Sequence, residues 1–239
     1  VPATFPQQKA IVMRALAVSV LSVGVTLCLI LPAEAACRDS ARPGVDWNGC
    51  ERGNLVLTRA SLDKANLARA NLTSSDLRGA SLKEADLTKG RLTYTSFNGA
   101  DLTGARLSGA YGSRTRFVSA VLKDADLSKV ELTRADFTKA DLAGADLSSA
   151  QLARVTLEGA SLKAAKLRFA NLSRAAIGEA NLSDADFAGA YLHLTRIEGT
   201  DLSSAKGLTA DQLRIACGDA KTKLPAGIAA PSEWPCPAP

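Results

Sequence analysis

Residues 135–149 read Ala135-Asp-Phe-Thr-Lys, Ala140-Asp-Leu-Ala-Gly, Ala145-Asp-Leu-Ser-Ser149. A small residue, a carboxylate and a large apolar residue are followed by two variable positions. The same frame runs outward from here in both directions without an insertion. From Leu57 to Leu202 it covers thirty positions, which hold 23 Leu, four Phe (Phe97, Phe117, Phe137, Phe187) and two Ile (Ile177, Ile197). Gly112 is the one exception. Two residues earlier, 21 of the thirty positions are Ala; one residue earlier, 13 are Asp or Asn. So regular a period of five has to be explained by the backbone.

Neither an α-helix nor a flat strand can use it. At about 100° per residue, five residues carry a helix through about 500°, so successive Leu would wander around its surface. In a strand five steps reverse the face each time, and half the Leu would point into water. The chain itself must turn once per repeat. Each repeat is then one side of a coil that sends its central Leu and the preceding Ala inward.

Ala-Asn-Leu-Ala-Arg and Ala-Asp-Leu-Thr-Lys closely resemble the repeats of the pentapeptide-repeat family, over about 150 of the 239 residues. The resemblance implies an all-β fold, a right-handed quadrilateral β-helix with four repeats per coil. Thirty repeats then make about 7.5 coils, a solenoid roughly 36 Å long at strand spacing. Phe97, Phe117 and Phe137 lie twenty residues apart, as a column of stacked rings would require; Phe187 falls outside that column. The Asp or Asn before each Leu is suited to bond local backbone at the turn, a structural role. Gly112 leaves its column short of a side chain, either as a kink or pocket beside Tyr111 or as a tolerated defect.

The first 36 residues have a different character. Lys9 and Arg14 precede an uncharged run from Ala15 to Leu31, followed by Pro32-Ala-Glu-Ala-Ala36. A basic start, an apolar middle and an Ala-x-Ala site make a secretory signal peptide, with cleavage expected after Ala35. A retained membrane anchor is the other reading, although the run is shorter than the roughly 20 residues that span a bilayer. The expected order is a signal peptide (1–35), an N-terminal cap (36–54), the solenoid (55–206) and a C-terminal cap (207–239). The expected location is periplasmic or extracellular.

Cleavage would remove Cys28 and leave Cys37, Cys50, Cys217 and Cys236, two pairs that flank the repeats. An even count in an exported chain reads as a disulfide framework with three connectivities. Each close pair brackets a short irregular segment, which favours Cys37–Cys50 and Cys217–Cys236. A zinc site is the rival reading, but Cys-x-x-Cys spacing is lacking and His193 is the only His. Val45 and Trp47 are expected to cover the first coil. At the other end Thr209-Ala-Asp-Gln212 is a capping-box signal for a short helix to about Ala216, with Leu208, Leu213 and Ile215 over the last coil.

Composition argues against catalysis. There is one His, no glycine-rich phosphate loop and no carboxylate pair beyond the repeat Asp, so no enzyme, cofactor or metal is expected. Sorting outward positions by side is more informative. On the side centred on Leu72, Leu92, Gly112, Leu132, Leu152, Leu172 and Leu192, the last slot reads Ser74, Tyr94, Arg114, Arg134, Arg154, Arg174, Leu194. Arg91, Tyr111, Tyr191 and His193 share it, and five Arg against Glu131 give +4. The side running from Leu62 to Leu202 sums to about −3. A ladder of like charges repels itself unless an anionic partner is present. Arg91, Arg114, Arg134, Arg154, Arg174, Tyr94 and Tyr111 are therefore the candidate anion-binding residues of an extracytoplasmic scaffold or binding module. Its partner would be an anionic polymer or an acidic protein; nucleic acid fits the charge but not the location, and a homodimer stays open. The resemblance also implies an alternative. Some family members resemble duplex DNA in shape and charge and inhibit DNA gyrase as acidic dimers in the cytoplasm. This chain departs from them through its +5 net charge, its signal peptide and its cysteines.

Overall fold

A computed structural model describes residues 37–236; the signal-peptide expectation lies outside them. The five-residue period appears as a turn. At every fifth residue from Gly44 to Gly199 the backbone enters the left-handed region, for example Lys64 at φ 58° and Arg134 at φ 59°. In most repeats the next residue closes the turn, as where Ala65 N–H donates to the Leu62 carbonyl at 3.0 Å. Left-handed backbone at the third residue alone is type II turn geometry. L-residues adopt it reluctantly, so something beyond local preference must hold it.

That something is the parallel ladder between coils. Bridges join residues twenty apart: Asn66 with Asp86, Arg106 with Asp126, Asp146 with Lys166. Asn66 N–H donates downward to Val45 at 2.8 Å, and Leu67 N–H donates upward to Asp86 at 2.7 Å. Four five-residue sides therefore complete one circuit. The sides are named below after Leu132, Phe117, Leu122 and Leu127, the order in which the chain passes through them in each circuit.

Both inward slots are sealed; Leu132, Leu142, Ala140 and Ala145 are at most 1% exposed. Each buried Leu stabilises the coil by about 1.5–3 kcal/mol. Phe97, Phe117 and Phe137 stack at 5.1 and 4.8 Å with planes 6° and 5° apart, the column expected from their spacing. Thr95, Thr115 and Thr195 replace Ala at one inward corner, where their hydroxyls donate to the carbonyls of Leu72, Leu92 and Leu172 at 2.7–2.8 Å. The repeat carboxylates do accept from local backbone, as Asp101 does from Thr103 N–H at 3.0 Å and Asp126 from Ser128 N–H at 2.9 Å.

Gly112 leaves no room for a Cβ. The ladder runs through it, with Gly112 N–H donating to Glu131 at 2.9 Å. A Cβ built on Gly112 would lie 2.6 Å from the Leu92 carbonyl carbon and 2.7 Å from Thr115 Oγ1.

The coil begins before Leu57. Asp46 pairs with Asn66 and Glu51 with Asn71, which puts Trp47 and Arg52 in the central slots of the first sides. Trp47 is thus part of the first coil rather than a lid over it. What covers it is the segment from Cys37: the Asp39 carbonyl accepts from Trp47 Nε1 at 3.2 Å and from Arg52 at 2.6 Å, and the Arg52 guanidinium lies 4.2 Å from the Trp47 ring.

At the far end α1 spans Ala210–Arg214, shorter than expected, with both halves of the Thr209–Gln212 capping box formed. Leu213 is fully buried, while Leu208 packs half-buried on the core. Insertion of α1 shifts the register: Asp186 pairs with Lys206 at twenty residues, Arg196 with Cys217 at 21, Asp201 with Lys223 at 22. Gln212 Nε2 donates to the carbonyls of Phe187 and Ala190 at 2.9 and 2.8 Å. In the regular coil a backbone N–H twenty-one residues on serves the Ala carbonyl, so the side chain substitutes for a missing rung. Cys37 is joined to Cys50 and Cys217 to Cys236, with Cα separations of 5.4 and 5.2 Å. The tail returns to seat Trp234 on Gly218, its Nε1 donating to Ala216 at 2.8 Å.

Candidate anion-binding face

The turn that recurs every five residues also decides where long side chains can stand. On each side the residue before the central Leu, and the two after it, point outward, and the coil stacks each over its counterpart twenty residues away. On the Leu132 side this aligns Arg114, Arg134, Arg154 and Arg174 in the left-handed slot, with φ between 56° and 60°. Rungs follow at about 4.8 Å. All four side chains are exposed.

None of the four takes part in an ion pair among the described residues, whereas Arg78, Arg106, Arg168 and Arg196 all do. Only Arg114 has a neighbouring partner: its guanidinium lies 5.9 Å from the Tyr94 ring and 3.4 Å from the Tyr94 hydroxyl. Arg91 is different. It pairs with Glu51 at 3.7 Å, because the coil starts early enough to place Glu51 on this side. Extending the side to include Glu51 and Arg52 leaves it at +4. Arg91 is therefore the one predicted site residue already neutralised by its own chain.

The ladder has company. Six large apolar residues are exposed among the described residues, and four of them, Tyr94, Tyr111, Tyr191 and Leu194, belong to this side. Tyr94 and Tyr111 stand at the N-terminal end of the Arg run. At the C-terminal end Tyr191 stacks on His193, with centroids 6.0 Å apart and planes 10° apart. Between the flanking rows runs a strip of small residues: Thr93, Ser113, Thr133, Ala153 and Ser173. Arg116, the first outward residue of the next side, is also exposed and has no ion pair among the described residues. Sorting by side missed it, although its place two residues after Arg114 was the available signal.

On the other sides several cations find a carboxylate. Lys83 meets Asp101 and Lys123 meets Asp141, each at 3.2 Å, on the Leu122 side. The Arg78 guanidinium, with its hydrogen bonds to Asp76, holds that carboxyl at about 2 against an ordinary 3.8. Asp201 is also held at about 2, by hydrogen bonds from Ser203 and then from Lys223. On the Phe117 side a notch of about 450 Å³ opens over Ala176 and Gly178, lined by Glu158, Glu179, Glu198 and Arg196. The described residues contain no cluster of His, Cys, Asp and Glu fit to hold a metal.

The family model described as pentapeptide repeats matches in eight copies, over residues 54–88, 95–134, 115–152, 131–168 and 165–206. Among solved structures the chain is similar to HetL, a pentapeptide repeat protein involved in heterocyst differentiation regulation in the cyanobacterium Nostoc sp. strain PCC 7120. Identity is 28%, coverage 81% of this chain and 87% of that one, and the TM-score 0.40. It is also similar to full-length QnrB1, a plasmid-mediated fluoroquinolone resistance protein, at 16% identity, 74% and 88% coverage and a TM-score of 0.52, a likeness of fold alone. A third is a pentapeptide repeat protein of the Arabidopsis thaliana thylakoid lumen, at 28% identity, 48% and 70% coverage and a TM-score of 0.30. No curated protein matches the chain.

Proposed function

The chain belongs to the pentapeptide-repeat family, and from that premise we propose that it is a non-catalytic, exported binding module that engages an anionic polymer along its Leu132 side. In this reading the solenoid winds right-handed through about eight coils, counted from Trp47 to Leu202, a stiff support that holds the four Arg at fixed spacing. One observation carries it: Arg114, Arg134, Arg154 and Arg174 stack in one slot with no ion pair among the described residues, while Arg78, Arg106, Arg168 and Arg196 on other sides are each paired. Like charges held within a Debye length of one another raise a local positive potential, and an anion relieves it. A DNA-mimicking role would need an acidic surface, and this chain carries +5.

The experiment is retention on an anionic matrix as salt is raised. The wild-type protein should elute late and with a strong salt dependence. A variant carrying Arg114→Gln, Arg134→Gln, Arg154→Gln and Arg174→Gln should elute early. Equal retention of the two proteins, insensitive to salt, would remove the proposal.

A further inference from the structure

We infer that the occupant of the Leu132 side is a carboxylated polysaccharide lying parallel to the coil axis, its sugar rings on the strip of small residues; the inference rests on the anion-binding reading above. Three features of the side select this class. The first is spacing. The Arg rungs rise by about 4.8 Å. An extended acidic peptide presents same-face carboxylates about 6.6–6.8 Å apart, two strand residues, and slips out of register with the ladder within a few rungs. A chain of uronic acid pyranoses offers one carboxylate per ring, spread over both of its edges, and long Arg side chains standing along the track can reach to either edge.

The second feature is the aromatic residues. Tyr94 and Tyr111 at one end, and the stacked Tyr191 and His193 at the other, bracket the Arg run on the same side. Exposed rings there would cost solubility if the partner offered only charge. A pyranose has an apolar C–H face as well as a carboxylate, and exposed Tyr is suited to that mixed surface through its ring and its hydroxyl. Polyphosphate offers nothing to a ring.

The third feature is the floor. Thr93, Ser113, Thr133 and Ser173 present hydroxyls between the two rows of longer side chains, and Thr and Ser can donate to or accept from sugar hydroxyls. From Tyr94 to Leu194 the track covers five rungs, about 24 Å, room for a short oligosaccharide with about one ring to a rung.

Oligogalacturonates of two to eight units, polyphosphate of matched charge and poly-glutamate serve as probes, with binding followed by calorimetry. Three proteins are compared: wild type, the four-Arg variant, and Tyr94→Ala combined with Tyr191→Ala. Affinity for the uronates should rise with length and level off near five units. The Tyr double variant should lose about tenfold on the uronates and nothing on polyphosphate. The four-Arg variant should lose binding to every probe. If polyphosphate or poly-glutamate binds as well as the uronates, and the Tyr changes do not discriminate, the polysaccharide assignment falls while the anion-binding reading stands. If no probe binds the wild-type protein, both fall. Identical melting curves for the three proteins guard against loss through unfolding.

Discussion

On the Leu122 side Lys83 reaches Asp101 and Lys123 reaches Asp141, each at 3.2 Å and each across one coil. On the opposite Leu132 side Arg114, Arg134, Arg154 and Arg174 stand over one another, with no ion pair among the described residues. The backbone is the same on both, the rungs are the same distance apart, and both carry long charged side chains. The difference is whether a cation's neighbour one coil away is a carboxylate. The interiors differ too: every central slot of the Leu122 side from Leu62 to Leu202 is Leu, while the Leu132 side admits Arg52 and Gly112. Paired cations and an unbroken column make one side a wall; unpaired cations and exposed rings make the other a surface for something else.

The comparison can be broken hardest from inside. Leu122→Ala removes a fully buried side chain from the unbroken column and should cost about 2–5 kcal/mol in chemical denaturation. Gly112→Ala tests the other column by adding volume. Because the new Cβ would meet the Leu92 backbone at 2.6 Å, it should cost about 1–3 kcal/mol. A stabilising effect would mean that a real hole stands there.

Arg154→Glu makes the basic side imitate the paired one, since Lys64 and Glu84 already form such a pair in the same slot of successive coils at 3.7 Å. Stability should rise by at most about 1 kcal/mol while retention on an anionic matrix falls, so fold and binding part company in a single variant. The smallest effect is acidic. Asp201 has its folded pKa depressed to about 2 from 3.8, so its contribution to stability is complete above about pH 4 and disappears as pH falls toward 2. Melts of wild type and Asp201→Asn should therefore differ above pH 4 and converge below it, whereas the four-Arg variant should keep a constant offset from wild type across that range.

Much of the fold was legible in the residues. The fifth-residue Leu predicted the inward slots, the Phe spacing predicted the stacked column, and Thr209 with Gln212 predicted the capping box. The start of the coil was harder to read, because Trp47 and Arg52 occupy slots that elsewhere hold Leu, and only the bridges to Asn66 and Asn71 show that the frame continues through them. The ladder of Arg was legible as a pattern of type and spacing. Its freedom from ion pairs was not, and neither was the pairing of Arg91 with Glu51, forty residues away.

By itself, then, the sequence determined the turn every five residues, the identity of what is buried and the stacking of residues twenty apart, because burial and turn closure act within a few residues and repeat without interruption. The tertiary structure alone decided which charges meet, that no Cβ fits at Gly112 and how Gln212 completes the last coil. Each of these depends on atoms from different coils, and whether they meet is a matter of distances that no stretch of neighbouring residues contains.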